Sequence, residues 1–77
     1  MGHLLNEPIR AERDASGRLT AYVWRGSRYS VDEILKTYGS SAEAQVYRVR
    51  VTGADGVAVA ELGRDTDRWR LRHIFSA

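Results

Sequence analysis

The stretch QVYRVRVTGADGVAVAELGRDTDRWRLRHIF, residues 45–75, carries the strongest structural pattern in this 77-residue chain. Residues 45–51 and 68–75 alternate between apolar and polar or charged side chains, which is typical of strands with one buried face. Residues 57–62 predict a third strand, and the segments between these strands contain the Gly, Asp and Thr residues of turns. The stretch therefore predicts three consecutive antiparallel strands.

The pairing of these strands decides which side chains reach the core. Five-residue loops at both turns would pair Val51 with Val57. They would also pair Leu62 with Arg68, and would leave Glu61 on the core face near the end of the sheet. A slip of one residue would turn a whole strand over, so this register holds or fails as a unit. Its outward face carries Arg48, Arg50, Ala58, Ala60, Arg70 and Arg72.

The four arginines on either side of this alanine strip have two interpretations. Alternating arginine on the wet face of a sheet can simply protect the protein from edge-to-edge aggregation. The same arrangement suits a nucleic-acid backbone, because guanidinium groups pair with phosphates and give salt-sensitive binding without sequence choice. The net charge of +2 is modest for that role, although eleven of the twelve basic residues are arginine. We hypothesise a nucleic-acid-binding face made of Arg48, Arg50, Arg70 and Arg72.

A second candidate surface lies at Trp24, with Arg25 and Arg28 close to it in the sequence. If Trp24 is buried, it serves the core, as large aromatic side chains commonly do. If it is exposed, the three residues form an aromatic and basic patch that can stack bases or anchor a protein partner. The sequence leaves this choice open.

The N-terminal half predicts three short strands, at 9–13, 18–24 and 28–30, separated by Gly-containing turns. Together with the strands of the C-terminal half, they give a sheet of five or six strands. Residues 1–7 are expected to form a flexible N-terminus, and residues 8–77 a single small domain.

Residues 31–38 predict one helix. Ser30 and Glu33 have the spacing of a capping box, and Gly39 suits the left-handed cap at the other end. The apolar residues at helical spacing are Val31, Ile34, Leu35 and Tyr38. The predicted fold is therefore α+β: a small antiparallel five- to six-stranded sheet, curled or closed into a partly open barrel, with one short α-helix.

Composition excludes several kinds of protein. The chain has no cysteine, which excludes a disulfide framework and thiolate metal sites. Its 43% hydrophobic and 29% charged residues are typical of a globular domain, and no apolar run is long enough to span a membrane. Because the sequence also lacks a secretory signal, we expect a cytoplasmic protein without a membrane partner.

The sequence contains no motif for catalysis or for a cofactor. Asp65 and Asp67 lack the further ligands of a calcium loop, and His3 with His73 does not complete a zinc site. The serines lie in turns or at the predicted helix cap, and no glycine-rich phosphate loop precedes a helix. We expect a non-enzymatic domain with no catalytic residue, no metal and no cofactor.

The segment AYVWRGSRY, residues 21–29, resembles part of a small bacterial domain of unknown function that is common in actinobacteria and their relatives. Members of that family have a strand ending in Trp-Arg-Gly-Arg, then an aromatic residue, Val and a short helix. Ser27 departs from this pattern, as it replaces the second arginine. Residues 46–49 (VYRV) and 69–71 (WRL) match two later motifs, so the resemblance covers about residues 8–75.

The same family is similar to segments at the C-terminus of error-prone, polymerase-like (ImuB-type) proteins of DNA-damage mutagenesis. This resemblance implies a role near DNA repair, and it implies no catalytic residue. Tyr38 replaces the tryptophan that the family often has near the end of its helix.

Two functions fit these observations. The first is a non-enzymatic, nucleic-acid-associated accessory module linked to DNA repair, which would bind single- or double-stranded nucleic acid without sequence preference. The alternative is a protein–protein interaction or homodimerisation module that uses an exposed strand edge or an aromatic patch. The salt dependence of binding to random oligonucleotides separates the two, because only phosphate contacts release counterions.

Overall fold

The computed structural model describes residues 2–39 and 44–76 of the chain. In these ranges it has no helix and six strands: β1 (Gly2–Arg13), β2 (Leu19–Trp24), β3 (Ser27–Tyr38), β4 (Ala44–Gly53), β5 (Gly56–Asp65) and β6 (Arg68–Ser76). Each strand is antiparallel to the next, and β6 pairs with β1, so the sheet closes into a six-stranded barrel. The predicted antiparallel sheet is confirmed. The α+β class is wrong, because the described part of the protein is all-β.

Barrel closure depends on β1, which is longer than the predicted strand at 9–13. Its pairing with β6 runs from Gly2 opposite Phe75 to Ile9 opposite Trp69. The closed sheet gives each of the six strands a neighbour on both sides. The ladders with β2 are short, however, so residues 31–38 of β3 pair with β4 alone and residues 2–9 of β1 pair with β6 alone.

The predicted helix at 31–38 is the second half of β3. Ser30 caps no helix there, since it lies opposite Thr52 of β4 within the sheet. Two irregularities in the β3–β4 ladder explain the misleading sequence pattern. Asp32 and Leu35 have no partner in the ladder, while the residues on either side of each one are paired. Each is the extra residue of a β-bulge.

Because of these bulges, β3 turns side chains toward the barrel interior at every third position instead of every second. The inward pairs are Val31 with Val51, Ile34 with Val49, and Thr37 with Tyr47. A three-residue repeat of apolar side chains is also the signature of an amphipathic helix, and this is why the sequence pattern is ambiguous. Val31, Ile34 and Thr37 are all β-branched, which favours a strand.

A substitution at Leu35 tests whether this segment is a strand or the predicted helix. On a docked helix it would lie on the apolar face, whereas at the bulge its side chain is 43% exposed. We expect Leu35→Gln to change the free energy of unfolding by less than about 0.5 kcal/mol, as is usual at the surface. Urea denaturation followed by tryptophan fluorescence measures this. A loss of about 2 kcal/mol or more would indicate a buried leucine and contradict the bulge.

The hairpins of the C-terminal half have shorter loops than the predicted ones. The β4–β5 and β5–β6 loops consist of residues 54–55 and 66–67 only. Val51 consequently lies opposite Ala58 instead of Val57. A shift of one residue moves every side chain of a strand to the other face, so β5 is turned over relative to the predicted register.

The reversal of β5 changes the outer surface. Ala58 and Ala60 belong to the interior, and the predicted strip of alanines between the arginines is wrong. Val59, Glu61 and Gly63 occupy the outward positions instead. The outward position of Glu61 also removes the buried carboxylate that weakened the predicted register.

A bulge at Arg72 exchanges the inward and outward side-chain positions in the last residues of β6. Leu71 is in the core, but His73 lies opposite Glu61 on the outside. Ile74 packs against the core in its place. Uninterrupted alternation would have put His73 beside Leu71.

The interior of the barrel is filled by apolar and aromatic side chains from four strands. The buried cluster consists of Leu19, Tyr22, Val49, Val51, Ala60, Leu62, Trp69 and Leu71. Tyr22 stacks on Tyr29 with ring centres 5.1 Å apart, and Tyr47 stacks on Trp69 at 5.4 Å. Burial raises the pKa of the Tyr22 phenol, so this ring stays neutral in the core.

Candidate nucleic-acid interface

Arg48 and Arg50 point outward from β4, and each one meets a carboxylate. Arg48 Nη2 lies 3.2 Å from Glu61 Oε2 on β5, and Arg50 Nη2 lies 2.8 Å from Glu33 Oε1 on β3. This contact forms because Arg48 and Glu61 lie opposite each other on the outer face of the sheet. In the predicted register Glu61 would face the core. An incoming phosphate would have to compete with these carboxylates, so neither arginine is a free cation.

The Arg48 guanidinium also lies close to aromatic rings. Its central carbon is 5.2 Å from the ring centre of Phe75 and 6.0 Å from that of Tyr38. His73 stacks on Phe75 with ring centres 5.7 Å apart, and Lys36 Nζ is 4.9 Å from the Tyr38 ring centre. These are cation–π and stacking distances. We call these five residues the aromatic cluster. The Arg48 Nε is buried and has no hydrogen-bond partner among the described residues.

Arg70 and Arg72 lie beside a shallow groove on the outside of β5 and β6, with Gly63 in its floor. This basic groove has a volume of about 270 Å³. Its charged lining residues in the described chain are Arg64, Asp65, Arg68, Arg70 and Arg72. The stem of Arg72 crosses this glycine, and a Cβ atom at Gly63 would lie 2.9 Å from Arg72 Cδ.

The arginines of the basic groove differ in how they are held. Arg70 donates from Nε to Oδ1 of Asn6 at 2.8 Å and from Nη2 to the Asn6 backbone oxygen at 2.6 Å. It is therefore oriented without being neutralised. Arg64 donates through Nε to a backbone oxygen of the β5–β6 turn at 2.8 Å. Arg68 and Arg72 form no hydrogen bond or ion pair with the residues that the structure describes, so their guanidinium groups are available.

Trp24, Arg25 and Arg28 lie on the β2–β3 hairpin, across the barrel from β5, and carboxylates of β1 engage all three. Glu7 accepts hydrogen bonds from Trp24 Nε1 at 3.1 Å and from Arg25 Nε at 3.0 Å. Glu12 accepts two from Arg28, at 3.0 and 3.1 Å. The bonds from Arg25 and then Trp24 hold the pKa of Glu7 below its ordinary value, and Arg28 does the same for Glu12. This patch is half-buried at Trp24 and internally neutralised.

The structure thus divides the predicted binding residues among three places, because the four arginines expected on one sheet face are split between β4 and the basic groove. The basic groove contains two of them, Arg70 and Arg72, and it also contains Arg64 and Arg68, which sequence reasoning missed. A five-residue loop at 63–67 would have taken Arg64 out of the sheet and paired Arg68 with Leu62. The two-residue turn places Arg64 on β5 and Arg68 on β6. The sequence signal for this basic surface is the close spacing of arginines on either side of the turn.

The described residues 2–39 and 44–76 contain no group of three or more His, Asp or Glu side chains placed to hold a metal ion. Nor does any helix in them have the length and apolar character needed to cross a membrane. Comparison of the chain with protein-family models, with curated proteins and with solved structures gave no significant match.

Proposed function

We propose that the protein is a non-enzymatic accessory module that binds nucleic acid through the basic groove. The observation that supports this best is the charge of the groove, where four arginines line a surface with one carboxylate. Arg68 and Arg72 have guanidinium groups without a partner among the described residues, and such groups can bind phosphate oxygens in pairs.

The contacts in this proposal are made to the sugar–phosphate backbone. Phosphate contacts position a strand without reading its bases, so binding is independent of sequence and sensitive to salt. The aromatic cluster adjoins the groove, because Tyr38 lies opposite Val46 and Val46 lies opposite Gly63. Aromatic rings beside a basic groove can stack unpaired bases, which favours single-stranded over double-stranded nucleic acid.

The resemblance to the Trp-Arg-Gly-type bacterial domain supports a place for this module near DNA repair. That setting is the bacterial cytoplasm, which also suits a chain without cysteine. The proposal assigns the protein no catalytic residue and no cofactor.

The test is a fluorescence-anisotropy titration of a labelled single strand at several salt concentrations. It compares the wild type with Arg68→Gln/Arg72→Gln, which removes two cations that form no hydrogen bond or ion pair with the described residues. We expect the affinity at low salt to fall by about tenfold or more. The slope of log K against log salt is expected to fall by about 1.4, because each phosphate contact with a single strand contributes about 0.7.

The matched control is Arg25→Gln/Arg28→Gln, which removes the same charge from the β2–β3 hairpin. Arg25 is paired with Glu7, and Arg28 is paired with Glu12. This variant should bind like the wild type if the groove, and not the net charge, is responsible. An equal loss in both variants would contradict the groove, and a wild type that does not bind at low salt would refute the nucleic-acid function.

A protein-interaction module is the second candidate function, and one surface favours it. An apolar hollow of about 220 Å³ lies at the end of the barrel where Trp24, Tyr29 and Val57 meet. The Val57 side chain is 53% exposed there. Failure to bind nucleic acid, together with a dimeric mass in sedimentation, would favour this function.

A further inference from the structure

The other end of the barrel opens into a second hollow, next to the β1–β2 loop. We call it the barrel mouth, and its volume is about 440 Å³. Its principal lining residues are Arg13, Arg18, Ile34, Tyr47, Arg64 and Trp69. The three arginines come from β1, from the β1–β2 loop and from β5, so closure of the barrel gathers cations that are far apart in the sequence.

Among the described residues, no carboxylate lines the barrel mouth, and those nearby are engaged elsewhere. Asp14 accepts hydrogen bonds from the amide and hydroxyl of Ser16 and from the amide of Arg18. Asp32 and Glu33 bind side chains of β4. Within residues 2–39 and 44–76, therefore, no acidic side chain of the mouth balances its positive charge.

Arg64 is the most firmly held of the three arginines. Its Nε donates to the Thr66 backbone oxygen at 2.8 Å, and its guanidinium carbon is 5.7 Å from the Trp69 ring centre. Its two terminal nitrogens have no hydrogen-bond partner in the part of the chain that the structure describes. Arg64 lines both the barrel mouth and the basic groove, so the two surfaces meet at this residue.

We propose that the barrel mouth binds the terminal phosphate monoester of a nucleic-acid strand whose backbone lies in the basic groove. This inference rests on the proposed nucleic-acid function. A phosphate monoester carries a charge of about −1.5 to −2 and three strong acceptor oxygens, whereas an internal diester carries a single negative charge. Three guanidinium groups without a carboxylate match the terminal group better than the internal one.

The walls of the barrel mouth favour a phosphate over a base. Trp69 is only 8% exposed, so its ring has no open face on which a base could stack. Tyr47 stacks on Trp69 and completes that wall. The groups that remain for a ligand are the guanidinium groups and the edge of Ile34.

The test uses labelled single strands of one sequence that carry a 5′-phosphate, a 3′-phosphate, or hydroxyl groups at both ends. Wild type is compared with Arg13→Gln/Arg18→Gln, in which neither replaced side chain forms an ion pair with the described residues. We expect one phosphorylated strand to bind the wild type about tenfold more tightly than the hydroxyl strand, as hydrogen bonds to a charged group would give. The variant should lose this preference and retain most of its affinity for the hydroxyl strand.

The outcomes separate this inference from the proposed function. Equal binding of all three strands by the wild type would overturn the terminal-phosphate site and leave the groove function intact. Absence of any binding would overturn both. A preference that survives Arg13→Gln/Arg18→Gln would exclude the barrel mouth as its source.

Two further measurements complete the test. The groove variant Arg68→Gln/Arg72→Gln should bind every strand more weakly and keep the preference for the phosphorylated end. Competition with a nucleoside monophosphate shows whether the barrel mouth prefers the phosphorylated end of a strand or a free nucleotide. Displacement of the strand by an equal concentration of the nucleotide would overturn the strand-end assignment.

Discussion

Replacement of Leu62 by alanine is expected to lower the free energy of unfolding by about 3 kcal/mol, as truncation of buried leucines typically does. Leu62 is completely buried in the centre of the barrel, so its loss leaves a cavity lined by the other core residues. In a domain of this size the melting midpoint should fall by about 15 °C. Thermal unfolding followed by circular dichroism measures the shift.

The control is Val57→Ala on the same strand. Val57 faces outward and is 53% exposed, so its truncation should change the free energy of unfolding by less than about 0.5 kcal/mol. In the register predicted from the sequence, Val57 is in the core and Leu62 is outside. A large effect at Val57 with a small effect at Leu62 would therefore restore that register and contradict the observed one.

Gly53→Ala is expected to have the second largest effect, a loss of about 2 kcal/mol from overpacking. A Cβ atom at Gly53 would lie 2.6 Å from Cδ2 and Cε2 of the Tyr29 ring. That ring cannot easily move, because it stacks on Tyr22 at 5.1 Å and lies 6.2 Å from Trp24. Urea denaturation curves of the variant and the wild type give the difference.

Gly63→Ala is the matched control, since neither glycine needs a left-handed backbone. Its Cβ atom would meet only the Arg72 side chain, at 2.9 Å from Cδ. Because Arg72 is flexible and can move aside, stability should stay within about 0.5 kcal/mol of the wild type. Equal losses at both positions would show that close packing of Tyr29 is not the cause.

The strands of the C-terminal half can be predicted from sequence because β4 has clean alternation and a valine-rich face. Their register cannot. It depends on two-residue loops at 54–55 and 66–67, and neither pair is the Asn-Gly or Asp-Gly that usually marks such a turn. One residue of error in loop length is enough to turn β5 over and misplace Ala58 and Glu61.

The failed helix prediction has a different physical cause. A bulge is a property of two paired strands, and nothing local at Asp32 or Leu35 reveals that β4 will pair on either side of it. The short-range signals that favour a helix, such as Ser30 followed by Glu33, carry less free energy than a complete ladder to β4. Tertiary pairing therefore overrides local propensity in β3.

The candidate site is only partly readable in the sequence for the same reason. The outward positions of Arg48 and Arg50 follow from alternation alone. Their neutralisation by Glu61 and Glu33 does not, because each carboxylate comes from another strand and depends on its register. Prediction of the basic groove likewise depends on the register of β5, which places Gly63 on the outer face and leaves space beside β6.

The pairing of β1 with β6 also has a consequence for folding kinetics. Five of the six ladders join strands that follow one another in the chain, and these can form as local hairpins. The remaining ladder joins the first strand to the last, so it raises the contact order of the fold. Almost the whole chain must lose conformational freedom before the hydrogen bonds of this ladder can form. Closing this seam is therefore the step expected to limit the folding rate.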